Sequence, residues 1–178
     1  MMPDLAAELA RVVTLWSRLE HMMNGTICQL SGIGLSLGDV FLGTISMPAR
    51  VLILEAVATR YLEAKDPTLC KSLIKHAEKI RKYRKRNDLV HGLWQRGGRD
   101  FGLTEHPVRK KNSREEKRWT LSDIKEVGDD VSTFIMTLWG HIELIDELFP
   151  RPPFEHVPWR RKPPLRPPRT LQRLGRGH

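Results

Sequence analysis

The feature that most constrains this chain is the spacing of its apolar residues, which recur at steps of three and four through long stretches. Leu5, Leu9, Val12, Trp16, Leu19, Met23, Ile27 and Leu30 form one such series. Ile124, Val127, Val131, Phe134, Leu138, Ile142, Ile145 and Phe149 form another. A turn of ~3.6 residues places each series along one side of a helix, so each predicts an amphipathic helix with a single buried stripe. Between them, Val51, Leu52, Ile53, Leu54, Ala56, Val57 and Ala58 leave little polar surface, which predicts a helix central to the core. Leu69, Leu73, Ala77 and Ile80 share one face of a further long helix. The expected fold class is all-α: an antiparallel bundle of four to five helices, with a small hairpin-like excursion before the last.

Local signals place the boundaries. The first helix runs from Asp4 to about Leu30. Three glycines follow in Ser31–Gly38, but no strand precedes them and no Gly-Lys-Ser/Thr follows, so they read as a helix connection and not a phosphate loop. Asp39 to Ile45 is expected to form a short helical turn. Pro48 suits the first turn of a helix reaching Ala64, and Asp66-Pro67 supplies an N-cap and first helical residue for the next. Trp94 to Phe101 reads as a strand entering a Gly97-Gly98 turn, and Arg118 to Leu121 as a second strand, with an exposed loop over 109–118. Ser122 is the expected cap of the last helix.

Composition narrows the function classes. No apolar run approaches the ~18 residues of a membrane helix, and Met1-Met2-Pro3-Asp4 has no basic or apolar export region. A cytoplasmic protein without a membrane partner is expected. Cys28 and Cys70 have no CxxC spacing and read as reduced, buried thiols. Seven histidines fall without an HxH or HExxH pattern, so no metal site and no cofactor are expected. The net charge of +9 is unevenly held. Residues 150–178 carry eight basic residues against one acidic, whereas residues 1–149 carry 22 against 20. Eight of the twelve prolines also lie in 150–178, a composition that cannot pack a core. The expected organisation is a helical domain over 1–149 and a disordered Pro/Arg-rich basic tail over 150–178. Such a tail adds non-specific attraction to RNA, DNA or other acidic surfaces.

One stretch concentrates chemistry: Arg86-Asn87-Asp88-Leu89-Val90-His91-Gly92. On a helix, Asn87 and His91 stack four residues apart, and Arg86 lies about 140° round from His91. Continued by threes and fours, the stripe of Leu69, Leu73, Ala77 and Ile80 reaches Arg84, Asn87, His91 and Trp94, so an apolar face turns polar here. Polar groups on such a face need partners from the core, a ligand or a second subunit. The preceding stretch is strongly basic, with Lys79, Arg81, Lys82, Arg84, Lys85 and Arg86 within eight positions. A solvated face near a helix C-terminus and a phosphate-binding surface explain that charge equally well. A helix-end role for His91 and a plain ion pair for Arg86 stand beside any catalytic reading.

Arg86-Asn87-x-x-x-His91, followed by Gly92 and set at the end of a helix in an all-helical chain, resembles the HEPN superfamily (higher eukaryotes and prokaryotes nucleotide-binding domains). That family's hallmark is an arginine, four to six residues, then a histidine, with a polar residue often directly after the arginine. Trp16-Ser17-Arg18-Leu19-Glu20 is compatible with its first helix, and the resemblance spans about residues 4–149. It implies a metal-independent endoribonuclease in which two subunits face their motifs into one cleft. It assigns His91 as acid/base, Arg86 to the phosphate and Asn87 in support, with Lys79, Lys82, Arg84 and Lys85 guiding RNA. It further implies a homodimer, a toxin or phage-defence role, and an antitoxin or nucleotidyltransferase partner. The competing expectation is a catalytically inactive HEPN-like module that dimerises or contacts nucleic acid or a partner protein.

Overall fold

A computed structural model describes residues 3–91, 93–97, 100–104 and 117–150, with side chains over 4–90 and 119–150. The helices are α1 (Pro3–Ser31), α2 (Leu35–Leu42), α3 (Met47–Tyr61), α4 (Pro67–Lys82), α5 (Lys85–His91) and α6 (Leu121–Leu148). Strands β1 (Leu93–Gly97), β2 (Asp100–Thr104) and β3 (Lys117–Arg118) lie between α5 and α6. The all-α bundle expected from the apolar spacing is what forms, and no helix among the described residues is long and apolar enough to cross a membrane.

α1 and α6 are the two long struts, 29 and 28 residues, each roughly 40 Å at ~1.5 Å per residue. They run in the same direction. Arg11 Nη2 donates to Lys125 O (3.2 Å) and Asp129 Oδ1 (3.0 Å) near their starts, while Gln29 Nε2 donates to Asp146 and to Phe149 O (3.0 Å) near their ends. α4 runs against α6: Ser72 meets His141 at one end and Tyr83 meets Asp130 at the other. α3 and α4, joined by residues 62–66, are antiparallel neighbours of about half the struts' length. They therefore cover only one half of α1 and α6.

That mismatch divides the core. The larger cluster packs Trp16, Leu19, Met23 and Ile27 of α1 with Val51, Leu54, Leu73, Ile80, Leu138 and Ile142 from α3, α4 and α6. The smaller holds Leu5, Val12, Leu89, Trp119, Ile124 and Val127, with α5 closing the half that α3 and α4 leave open. Burying side chains of this size stabilises by ~1.5–3 kcal/mol each before conformational entropy is subtracted.

Several local expectations are corrected. α2 begins at Leu35, so only residues 32–34 of the glycine-rich stretch form the connection, with Gly32 at φ +70°. Gly38 lies inside α2 because α2 and α1 touch there: a Cβ on Gly38 would stand 2.0 Å from Cys28 Sγ. α3 is not buried all round; Val51, Leu54 and Ala58 face inward while Leu52 stays 54% exposed. Its cap is Ser46, whose hydroxyl accepts from Ala49 N. Asp66 caps α4 as expected, accepting from Thr68 N and Leu69 N. The cap of α6 is Thr120, not Ser122. Thr120 Oγ1 accepts from Asp123 N (3.2 Å) and the Asp123 carboxylate accepts from Thr120 N (2.7 Å), a reciprocal box that satisfies two helix-end donors. That cap stops the third strand at Arg118, short of the expected Leu121.

The hairpin-like excursion is a three-stranded antiparallel sheet in the order β1-β2-β3. Leu93 pairs with Thr104, Gly97 with Asp100 and Gly102 with Arg118. Cys28 and Cys70 are free and buried, and burial pushes both thiol pKa values up. Of the expected loop over 109–118, residues 117–118 form β3 and 109–116 lie outside the described residues, as does the expected tail beyond Pro150.

Candidate functional site

The motif does not sit at the end of one long helix. α4 stops at Lys82, where Tyr83 adopts an extended conformation (φ −77°, ψ 102°), and α5 starts afresh at Lys85. Tyr83 breaks the helix because its ring is taken up by the core. It stacks on Trp16 (centroids 6.4 Å, 24° between planes), meets Phe134 edge-on at 5.2 Å, and donates its hydroxyl to Asp130 Oδ2 (2.9 Å). Burial first, then the bond to Asp130, pushes the Tyr83 pKa far up, so the phenol stays protonated. The break also resets the helical phase. Leu89, not Asn87, is the described α5 side chain that enters the core, and it is fully buried.

With Leu89 inward, Arg86 is carried against α1. Its guanidinium carbon lies 5.3 Å from the centre of the Trp16 ring, and Nη1 donates to Asn87 Oδ1 at 3.1 Å. A guanidinium laid on an indole gains cation–π attraction of ~0.5–2 kcal/mol. Burial lowers the Arg86 pKa while the negative charge of Glu20 opposes the shift. An arginine remains cationic at neutral pH through such a change.

Glu20 is a hub. Its Oε1 accepts Trp16 Nε1–H at 2.9 Å and stands 3.6 Å from Arg50 Nη1. Arg50 is only 3% exposed; its Nε donates to Asn24 Oδ1 (2.7 Å) and its Nη2 to Leu42 O (2.9 Å). Thus α1 holds the platform for Arg86 with a carboxylate that is itself tied to a buried cation on α3. In the sequence Trp16 reads as core, and Glu20, Arg50 and Tyr83 carry no functional signal of their own. The four-residue step from Trp16 to Glu20 was the available signal, since side chains so spaced meet on a helix.

The other expected site residues divide. Lys79, Lys82 and Arg84 are exposed, and Lys82 Nζ lies 3.4 Å from Glu78. Lys85 is instead committed to α6, pairing with Glu126 and with Asp130 at 3.5 Å, and the Glu126 bond chiefly raises its pKa. His91 is the last residue of α5, five residues beyond Arg86, and its side chain lies outside the described residues. The fold therefore brings Arg86 and Asn87 into contact and puts the backbone of His91 on the same short helix.

The rings behind the site continue through Phe134 to His76 (5.9 Å), which stacks on His141 (5.6 Å). His76 Nε2–H donates to Phe134 O at 3.0 Å. His141 Nδ1–H donates to Thr137 O (2.8 Å), which leaves Nε2 to accept the Ser72 hydroxyl (2.9 Å). Burial pushes both imidazole pKa values down. Among the described residues no three His, Cys, Asp or Glu side chains gather as a metal-ligand set.

A fixed cation beside an amide is chemically suited to a phosphate: the planar guanidinium can offer two N–H donors, and the amide can orient a neighbour. No protein-family model, no curated protein and no solved structure matches this chain.

Proposed function

We propose that this chain is a metal-independent endoribonuclease whose composite site forms when two copies bring their Arg86-x4-His91 motifs into one cleft. The observation that carries the reading is the seat of Arg86: stacked on Trp16, bonded to Asn87, and on the same seven-residue helix as His91. A guanidinium fixed in advance stabilises the charge that gathers on phosphorus without reorganising at the moment of reaction. In this reaction one His91 takes the proton of the 2′-hydroxyl as its oxygen bonds to phosphorus. The bond from phosphorus to the 5′-oxygen breaks, and the partner copy's imidazolium supplies that oxygen with a proton. Products carry 2′,3′-cyclic phosphate and 5′-hydroxyl ends. Positioned acid–base catalysis supplies ~10²–10⁴-fold, with the arginines adding electrostatic stabilisation. Lys79, Lys82 and Arg84 attract the RNA backbone, which makes binding salt-sensitive. A toxin or phage-defence role, with an antitoxin or nucleotidyltransferase partner, follows from the same resemblance.

The test is incubation of single-stranded RNA in EDTA, beside the same sequence with one 2′-deoxy nucleotide placed at the cleavage site. Cleavage of the first, leaving cyclic phosphate ends, and protection of the second at that bond support the reading. Cleavage of both, or of neither, removes it. RNA binding without cleavage instead identifies the catalytically inactive module.

A further inference from the structure

The outward side of α6 is unusual for an exposed helix surface. Met136, Trp139 and Leu144 are 69%, 47% and 49% exposed, and a Cβ on Gly140 between them would meet nothing within 4 Å. At ~100° per residue, Asp129, Met136, Gly140, Glu143 and Glu147 fall within about 60° of arc, with Trp139 and Leu144 flanking them. Trp139 Nε1 donates to Glu143 Oε1 at 2.7 Å, which holds the indole along the helix. α6 is also the acidic helix of the chain. It carries seven carboxylates against the single Lys125, and no basic residue occupies its last turn, where the helix dipole adds negative charge.

The chain beyond α6 is complementary in both respects. Residues 151–178 hold eight basic residues against Glu155, and the first of them include Pro152, Pro153, Phe154, Val157, Pro158 and Trp159. The order of these features matches as well as their chemistry. Read backwards from its C-terminus, the outward side of α6 presents an apolar stretch from Leu144 to Met136, then the exposed carboxylates of Asp129 and Glu126. Read forwards, the following chain presents an apolar stretch, Pro152 to Trp159, then Arg160-Arg161-Lys162. An extended proline-rich chain rises ~3.1 Å per residue against ~1.5 Å in a helix, so each residue passes about two helical positions. Laid back along α6 in that form after one or two residues of turn, Phe154 to Trp159 would come opposite the apolar stretch and Arg160 to Lys162 opposite the acidic one.

We propose that residues 152–162 dock in cis along the outward side of α6. Prolines and aromatics of the segment cover Met136, Trp139 and Leu144, the way proline-rich ligands settle on exposed aromatic rings. Arg160, Arg161 and Lys162 meet the exposed carboxylates of Glu126 and Asp129, which Lys85 and Arg11 approach from the inner side. The contact holds whether or not the chain cuts RNA.

Spin labelling of the full chain tests it. Cys28 and Cys70 are buried, so a nitroxide placed on His156→Cys is the one accessible label among the cysteines. At ~0.05 M salt, the amide signals of Met136, Gly140 and Glu143 are expected to vanish in the oxidised state and return on reduction. At ~0.5 M salt, or with Glu126→Gln and Asp129→Asn together, the oxidised-state loss is expected to weaken. Circular dichroism of the charge variants confirms that α6 is intact. Signals that persist in the oxidised state at low salt overturn the proposal. So does equal loss in a mixture of isotope-labelled chain without the spin label and spin-labelled chain without the isotope, because the segment then docks on a second copy.

Discussion

Glu20→Gln isolates the charge at the centre of the Arg86 platform. The amide oxygen of glutamine can still accept from Trp16 Nε1, so packing and that hydrogen bond survive while the negative charge beside Arg50 is lost. At 3.6 Å and an effective dielectric of ~20, the two charges attract by about 4–5 kcal/mol. The Glu20 side chain is 34% exposed, so solvent screens part of this, and Asn24 and Leu42 continue to bond the guanidinium. Arg50, at 3% exposed, cannot escape to water when its counter-charge goes. The net loss is therefore expected at ~1–3 kcal/mol, between a surface ion pair and a fully buried one. For a domain of this size that lowers the midpoint by roughly 3–10 °C. Calorimetry of the full chain reads it directly, and urea titration gives the free energy. In an Arg50→Met background the same Glu20→Gln change is expected to cost much less, a coupling that a double-mutant cycle measures. An unchanged midpoint, or equal losses in both backgrounds, refutes the view of Glu20 as the counter-charge of a buried arginine.

Two further outcomes probe the scaffold. Gly38→Ala places a methyl group 2.0 Å from Cys28 Sγ and is expected to cost ~1–3 kcal/mol in urea unfolding; adding Cys28→Ala removes the sulfur and recovers part of that loss, whereas no recovery contradicts the close approach of α1 and α2. Burial lowers the pKa of His76 and His141 in the folded chain, so below about pH 6.5 the unfolded chain binds more protons and stability falls as pH drops. Each group adds at most ~1.4 kcal/mol per pH unit in that window. His76→Gln, whose amide can still donate to Phe134 O, is expected to flatten the urea midpoint between pH 7.5 and pH 5.5. A variant curve parallel to the wild type contradicts the neutral, buried pair.

The long struts were legible because a stripe of apolar side chains repeats through Leu5 to Leu30 and Ile124 to Ile145, and only a helix buries such spacing. Their parallel direction was not legible, because it depends on the crossover through α2 to α5 and not on either stripe. The N-cap at Asp66 could be read because Pro67 follows it. The cap at Thr120 was missed because Ser122 is an equally good hydroxyl and only the reciprocal bond with Asp123 decides between them. The break at Tyr83 carries no proline or glycine to announce it. It comes from tertiary contacts with Trp16, Phe134 and Asp130, which outweigh local propensity. For the same reason Arg86 and Asn87 could be named from their motif, while Trp16 and Glu20, some seventy positions earlier, became part of the site only once the chain was folded.

Cleavage of RNA by Arg86 and His91 is the activity we propose. Its most direct test is the single-turnover rate on single-stranded RNA in EDTA for wild type, Arg86→Ala and His91→Ala, each first shown to melt near the wild-type midpoint. Measurable wild-type cleavage and a loss of ~10²-fold or more in both variants are expected. Wild-type chain that leaves RNA intact, or variants that cut at the wild-type rate, would contradict it.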